Sequence, residues 1–400
     1  MGGVRHRGVL TVMKIAIVFE IFYPTVNGII TSSINLAENL IDQGHDVVFF
    51  APRTREYTET TVNGRIPVRY FTSWYNWAYP GMRNVLPWNR SVEVALRREG
   101  VEAVHITGPW LLTYATIRAA GRLGIPVVHT FHTMLHEPSY IIYMFRTSLM
   151  VPVVQAIAWS YYWLYVKRSR INTGPSRMVC RQLKQHFPRE DVRFVSNGVD
   201  VQRFDHYASV AELRQHYPQH NDHTFLFVGR LGQEKSVDEL IDAMAIVTRE
   251  DPKARLFIVG DGPATRRYQA QVHRLGLGGR VILLGRVSHS ELIASGLIHH
   301  SLAFVTASTT ENQPMTVIEA ICCHVPAIVP DVPGITELVE DNGLRFAPHD
   351  VEDLARTMVT MSRDRDLRER CVHASRHMKE RFDGRNVALE FEKIYQDLHK

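Results

Sequence analysis

Cysteine is scarce: the 400 residues hold four, at Cys180, Cys322, Cys323 and Cys371. They form no CxxC pair and no metal-ligand spacing, and two are adjacent. Neither a disulfide framework nor a zinc site is favoured, and a reducing cytosol fits best. Clean long apolar runs are also missing. SLMVPVVQAIAWSYYWLYVKRSR, Ser148 to Arg170, comes nearest to membrane-spanning length, but Pro152 and Gln155 interrupt it. The opening MGGVRHRGVLTV is basic yet lacks the apolar run and cleavage site of a signal peptide, and His6 does not fit a myristoylation pattern. Residues 1–12 therefore read as an extension, with folded structure expected from about Met13. There is no internal repeat, no low-complexity tract and no GxGxxG dinucleotide fingerprint. With 45% hydrophobic and 22% charged residues the chain can bury large cores, which excludes general disorder and implies two or three domains.

Charge is unevenly shared. Residues 1–200 carry 22 Lys and Arg against 13 Asp and Glu, and residues 201–400 carry 24 against 28, so the halves stand at +9 and −4. A basic face on the first half suits an anionic partner such as phospholipid, nucleic acid or an acidic substrate; uneven surface charge without consequence is the plain alternative.

Short β-branched runs alternate with helical patterns throughout. KIAIVF, DVVFFAP, AVHIT and PVVHTFH read as buried strands in the first half, and TFLFVGR, RLFIVGDG, VILLGRV, LAFVTAS and AIVPDV in the second. Between them, Ile30, Ile34, Ala37 and Ile41 recur at helical spacing before Gly44, a cap signal, as do Val237, Leu240, Ile241, Met244 and Val247. Such alternation implies α/β architecture: two doubly wound parallel sheets facing a cleft. The boundary is placed at RFVSNGVDVQRF, giving one domain over 1–200, a second over 201–375, and a final helix in 376–400 returning to the first. Ligands in these sheets bind beyond the carboxyl ends of the strands.

Three strand-to-helix loops carry chemistry. In EIFYPTVNGIITSS, Asn27-Gly28 before a helix suits backbone N–H groups aimed at an anion, although an ordinary turn looks the same. In FVGRLGQEKSVDEL, Gly229 ends a strand and Arg230 and Lys235 follow, a planar fork and a point charge suited to phosphate oxygens. In TTENQPMTVIEA, Glu311 lies in the loop, Pro314 fits the first helical position and Glu319 lies about two turns on. Glu311 suits sugar hydroxyls, the N–H groups of Met315 and Thr316 a phosphate, and Glu319 a second part of the same ligand. His129, His132 and His136, with Glu137, run out of a strand into a loop rather than along one helical face, so no metal is expected.

GRLGQEK, the glutamate pair, NG in the first loop, HTFHT at 129–133, SNGVD at 196–200 and VGDGP at 259–263 together resemble the retaining glycosyltransferases of family 4, which adopt the GT-B fold. The match covers nearly the whole chain. The resemblance implies a nucleotide-sugar donor bound mainly by the second domain, an acceptor on the first, and no required metal or cofactor. It implies that Arg230 and Lys235 hold the diphosphate, Gly28 approaches it, Glu311 contacts the sugar, Glu319 the ribose, and His132 lies beside the reacting centre. Gly229, Gln313, Met315 and Thr316 complete the expected donor site. Glu311 to Gln313 looks like the branch that glycosylates diacylglycerol, with UDP-glucose or UDP-galactose as donor. A mannosyltransferase on phosphatidylinositol, a transferase to a soluble or polysaccharide acceptor, and an epimerase of the same fold are the alternatives. Asn312-Gln313-Pro314 departs from the family pattern, because Pro314 removes a backbone donor that the family aims at the ligand.

Aromatic residues bear on the acceptor, either as a membrane-facing surface or as the lining of a groove for a soluble sugar. YFTSWYNWAYPGMRNVLPW holds Trp74, Trp77, Tyr79 and Trp88 in what reads as a mobile loop. Ser148 to Arg170 reads as a core or membrane-surface helix ending in Lys167 and Arg168. With the basic half, these lead to an expected peripheral enzyme at the cytoplasmic face of an anionic membrane, taking a lipid and no nucleic acid.

Overall fold

A computed structural model describes residues 12–25, 27–76, 82–138, 141 and 147–398. All nine apolar runs are strands. The first sheet comprises β1 (Lys14–Val18), β2 (Asp46–Pro52), β3 (Thr61–Val62), β4 (Ile66–Phe71), β7 (Ala103–Ile106), β8 (Val127–Thr130), β9 (Ile171–Gly174) and β10 (Val192–Phe194). Its order is β10-β9-β8-β7-β1-β2-β4-β3, parallel except for the short β3. The second sheet comprises β11 (Thr224–Val228), β12 (Arg255–Val259), β13 (Val281–Gly285), β14 (Ala303–Val305), β15 (Ala327–Pro330) and β16 (Gly343–Phe346), ordered β13-β12-β11-β14-β15-β16 and parallel throughout. A hairpin of β5 (Ser73–Tyr75) and β6 (Arg83–Val85) stands apart. Each large sheet grows outward from its first strand and then jumps to that strand's other side, at β1/β7 and at β11/β14. These are the points at which doubly wound sheets open a crevice.

Helices cover both faces of each sheet. In helix Val237–Glu250, Val237, Leu240, Ile241, Met244 and Val247 are all fully buried, as the spacing predicts. Helix Gly28–Asp42 starts where the Asn27 side chain accepts a hydrogen bond from the Ile30 N–H at 3.0 Å, and Gly44 follows its cap at φ +97°. Leu40 rather than Ile41 completes the buried stripe. In the second half, Pro314 is expected at the first helical position. It is in fact the cap residue, with extended ψ 119°, and the helix runs Met315–Cys322.

The last helix, Gly384–Asp397, packs on helix Gly28–Asp42, so Val387, Phe391, Ile394 and Tyr395 join Ile15, Ile17, Phe49 and Ile30 in the first sheet's core. The contact is close: a Cβ on Gly384 would fall 2.0 Å from Asn35 Oδ1, so a larger residue there would have to displace the Asn35 side chain. Tyr395 also anchors a buried polar chain, its hydroxyl 2.7 Å from His105 Nδ1, with His105 Nε2 2.6 Å from Thr130 Oγ1 and that hydroxyl 2.7 Å from Thr173 Oγ1. Burial pushes His105 down to about 3, which keeps its ring neutral.

Candidate active site between the two sheets

The second crevice is built on the β11 and β14 loops. After β11, the chain passes under Gly260, whose Cβ would lie 1.9 Å from the Gly229 carbonyl. The VGDG segment is thereby a floor for the Gly229–Arg230 turn, and Leu231 N–H donates to Asp261 O at 3.0 Å. Arg230 projects outward, 61% exposed, and meets Glu234 at 2.5 Å. A single carboxylate leaves most of its five N–H donors facing solvent. Lys235 ends a tight turn, Gln233–Lys235, before Ser236 at φ +47°. Its ammonium is paired with Glu311 Oε1, which also accepts from Ser308 Oγ at 3.1 Å. Lys235 and Glu311 are thus one unit at the mouth of the sheet.

Beyond Pro314, the N–H groups of Val317 and Ile318 both turn back to the Pro314 carbonyl, at 3.2 and 3.3 Å. Met315 and Thr316 keep the N–H groups that the helix leaves over, the kind that attract an anion. Facing this helix start is the start of helix Gly28–Asp42: a Cβ on Gly28 would touch Met315 Cγ at 3.0 Å. Two helix N-termini, one from each half, therefore meet across the cleft.

The same loop is stitched to the first half. Asn312 Nδ2 donates to the His132 carbonyl at 2.5 Å. Burial lowers His132 to about 4, so a neutral imidazole lies beside the loop that carries Glu311. Gln313, expected at the donor, differs: its Oε1 accepts from Asn197 N–H and its Nε2 donates to Ser196 Oγ, both at 2.8 Å. Its amide is committed at both ends to the connector between the halves, which explains its burial. Glu319 is buried, and Oε1 lies 2.9 Å from His289 Nε2. That hydrogen bond raises the pKa of His289. Sequence reading missed His289, for which the serine-capped start SHSEL was the available signal.

The outlying residues are scattered. Trp74 and Trp88 are exposed, at 45% and 66%; Trp77 and Tyr79 lie outside the described residues. The segment read as a mobile loop has paired strands at its base, where Arg83 Nε donates to Ser73 Oγ at 2.8 Å. Lys167 pairs with Glu190 at 2.6 Å, and Arg168 donates to Leu164 O while lying over the Trp163 ring. Helix Val151–Val166 has both characters considered for it. Tyr162, Tyr165 and Val166 face the core, whereas Val153, Ile157 and Trp163 on the opposite side, and Leu149 in the turn before the helix, are exposed. His136 is hydrogen-bonded to Gln182 at 3.1 Å and lies against Trp159. Among the described residues, no three His, Cys, Asp or Glu side chains gather as a metal site.

Two doubly wound sheets with crevices turned toward each other, one of them cationic, are the plan of the GT-B glycosyltransferases. Comparison with known proteins agrees. Residues 26–203 match the model of Glycosyltransferase Family 4, and residues 210–378 that of Glycosyl transferases group 1. The chain is 30% identical to a GDP-mannose-dependent alpha-mannosyltransferase of Mycobacterium tuberculosis, over 82% of this chain and 81% of that one. It is 26% identical to an alpha-monoglucosyldiacylglycerol synthase of Streptococcus pneumoniae, over 85% and 76%. Anabaena HepE, solved with UDP and glucose, superposes with a TM-score of 0.77 at 19% identity, covering 96% of this chain and 100% of that one. The chain belongs to glycosyltransferase family 4, near the branch that glycosylates diacylglycerol, and is a glycosyltransferase of GT-B fold.

Proposed function

We propose that the protein is a retaining hexosyltransferase carrying a sugar from a nucleoside diphosphate to a glycerolipid at a membrane surface. The observation that carries this reading is the Lys235–Glu311 unit beside Arg230, set at the β11/β14 switch point below two helix N-termini. Breaking a glycosyl–phosphate bond leaves negative charge on the diphosphate, and preorganised cations and N–H groups stabilise it in the transition state. In this assignment Arg230, Lys235 and the N–H groups of Met315 and Thr316 hold the diphosphate, with Gly28 close by. Glu311 and neutral His132 border the sugar, and the Glu319 oxygen not turned to His289 takes the ribose. The acceptor oxygen bonds to the anomeric carbon on the side from which the phosphate oxygen departs, and its proton passes to that oxygen. Side chains supply both cations, so the assignment requires no metal.

Relatives named alpha-monoglucosyldiacylglycerol synthase, 26% and 25% identical, support transfer of a glucosyl group to a diacylglycerol acceptor. The mannosyltransferase relatives at 30% identity support GDP-mannose as the second reading. Membrane docking is supported by the exposed Leu149, Val153, Ile157 and Trp163 beside Lys167 and Arg168, and by Trp74 and Trp88, all on the basic half. This assigns a peripheral place at the cytoplasmic face of the membrane. The test is incubation with UDP-glucose, UDP-galactose or GDP-mannose, with and without vesicles of diacylglycerol or phosphatidylinositol, and NMR of the product's anomeric configuration. Formation of α-hexosyl diacylglycerol is the expected result. Transfer only to soluble acceptors overturns the lipid, and an inverted anomer overturns retention.

A further inference from the structure

The first crevice contains a carboxylate that sequence reading passed over. Glu20 follows β1 at the β1/β7 switch point, the counterpart in the first sheet of the position that Arg230 holds in the second. Its side chain is buried, with 6% exposure. One oxygen has a clear structural task. Helix Leu111–Leu123 starts at Trp110, which offers no side-chain cap, and Glu20 Oε1 takes its place, accepting from Thr113 N–H at 2.6 Å and from the Thr113 hydroxyl. The other oxygen, Oε2, is buried with no hydrogen-bond partner.

Capping does not require that second oxygen to be charged, and a glutamine would serve the helix as well. A buried unsatisfied polar atom costs about 1–3 kcal/mol, and more when charged. Such atoms call for a reason. The surroundings provide one. A Cβ on Gly108 would come 3.8 Å from Glu20 Cγ and 3.9 Å from Thr133 Oγ1, so the glutamate, the glycine and the residue after His132 are close neighbours. They lie beyond the carboxyl ends of β1, β7 and β8, on the half opposite the proposed donor site.

We propose that Glu20 Oε2 receives a hydroxyl of the acceptor, making Glu20 an acceptor-binding residue. The proposal rests on the glycosyl-transfer reading above. Burial pushes the Glu20 carboxyl up to about 7, outweighing the Thr113 hydrogen bonds and the nearby backbone amides of Leu112 and Trp110 that pull it down. The titratable groups facing it are Tyr161 and Tyr165 of helix Val151–Val166. Burial raises both, Tyr161 to about 12, so they remain neutral and add no competing charge near neutral pH. A hydroxyl donating to Oε2 stabilises the ionised form, so acceptor binding strengthens as pH rises through 7.

Two measurements test this. In the wild type, the KM for diacylglycerol should fall about tenfold between pH 6 and pH 8, as binding by one ionised group of pKa 7 requires. Glu20→Gln keeps the capping oxygen, and its acceptor KM should be raised and flat with pH while the donor KM is unchanged. Thr113→Val weakens the cap alone and should lower stability without moving the acceptor KM. An unchanged acceptor KM and pH profile in Glu20→Gln overturns the proposal. Independently of turnover, the 13C carboxyl resonance of Glu20 should titrate at lower pH once dioctanoylglycerol micelles are added, and no movement overturns it too. Failure of the transfer reading appears separately, as absence of sugar transfer by the wild type to every acceptor tried.

Discussion

The two switch points have one topology and opposite chemistry. In the second sheet, the first strand ends in Gly229-Arg230, and the crossing strand's loop brings Glu311 to Lys235. In the first sheet, the equivalent strand ends toward Glu20, and the neighbouring loops bring Thr133 and the neutral His132. One crevice is cationic and open; the other is uncharged or weakly acidic and enclosed. The same topology therefore gives two crevices of different charge, and the proposed roles, a leaving diphosphate at one and a hydroxyl at the other, follow that difference.

Removing the cation should break this contrast most. Lys235→Ala is expected to lower kcat by roughly 100- to 1,000-fold, the usual effect of losing one preorganised transition-state contact, while circular dichroism shows an intact fold; unchanged turnover would strip Lys235 of its role. The halves also differ in how their cores close, since the first borrows Phe391. Phe391→Ala should cost about 3–5 kcal/mol, and hydrogen exchange should show the loss around β1 and β2 while the second sheet stays protected. A smaller effect separates the donor site from the stitching beside it. Gln313→Ala should cost about 1–3 kcal/mol by stranding Asn197 N–H and Ser196, with donor affinity nearly unchanged; a tenfold weaker donor would return Gln313 to the sugar. The smallest effect is a pH trend. Hydrogen bonding to Glu319 raises the pKa of His289 above its unfolded value, so its stabilisation is complete below about 6.5 and fades as pH rises through the folded value. The gap in melting temperature between wild type and His289→Gln should narrow from pH 6 to pH 8.5, and a widening gap would contradict the pairing.

Apolar strands were legible because parallel sheets covered on both faces need continuous hydrophobic runs. β9, INTG, escaped notice because it buries Asn172 and Thr173 in place of aliphatic residues, and Thr173 belongs to the hydroxyl and imidazole chain ending at Tyr395. Candidate site residues stood out where charge sits beside glycine at a strand end, as in GRLGQEK. Gln313 reads as a ligand contact because it is a polar residue between two glutamates, and only the folded chain brings Ser196 to its amide. Glu20 was hidden for a related reason: its value depends on Thr113, 93 residues away, and on the oxygen that Thr113 leaves unused.

The final helix has a consequence for synthesis. A ribosome produces β1, β2 and helix Gly28–Asp42 early, but the face they share with Phe391, Ile394 and Tyr395 stays uncovered until residues 384–398 emerge. The half that is made first is completed last. During that interval the nascent chain displays an apolar surface for which a chaperone and a neighbouring nascent chain can compete.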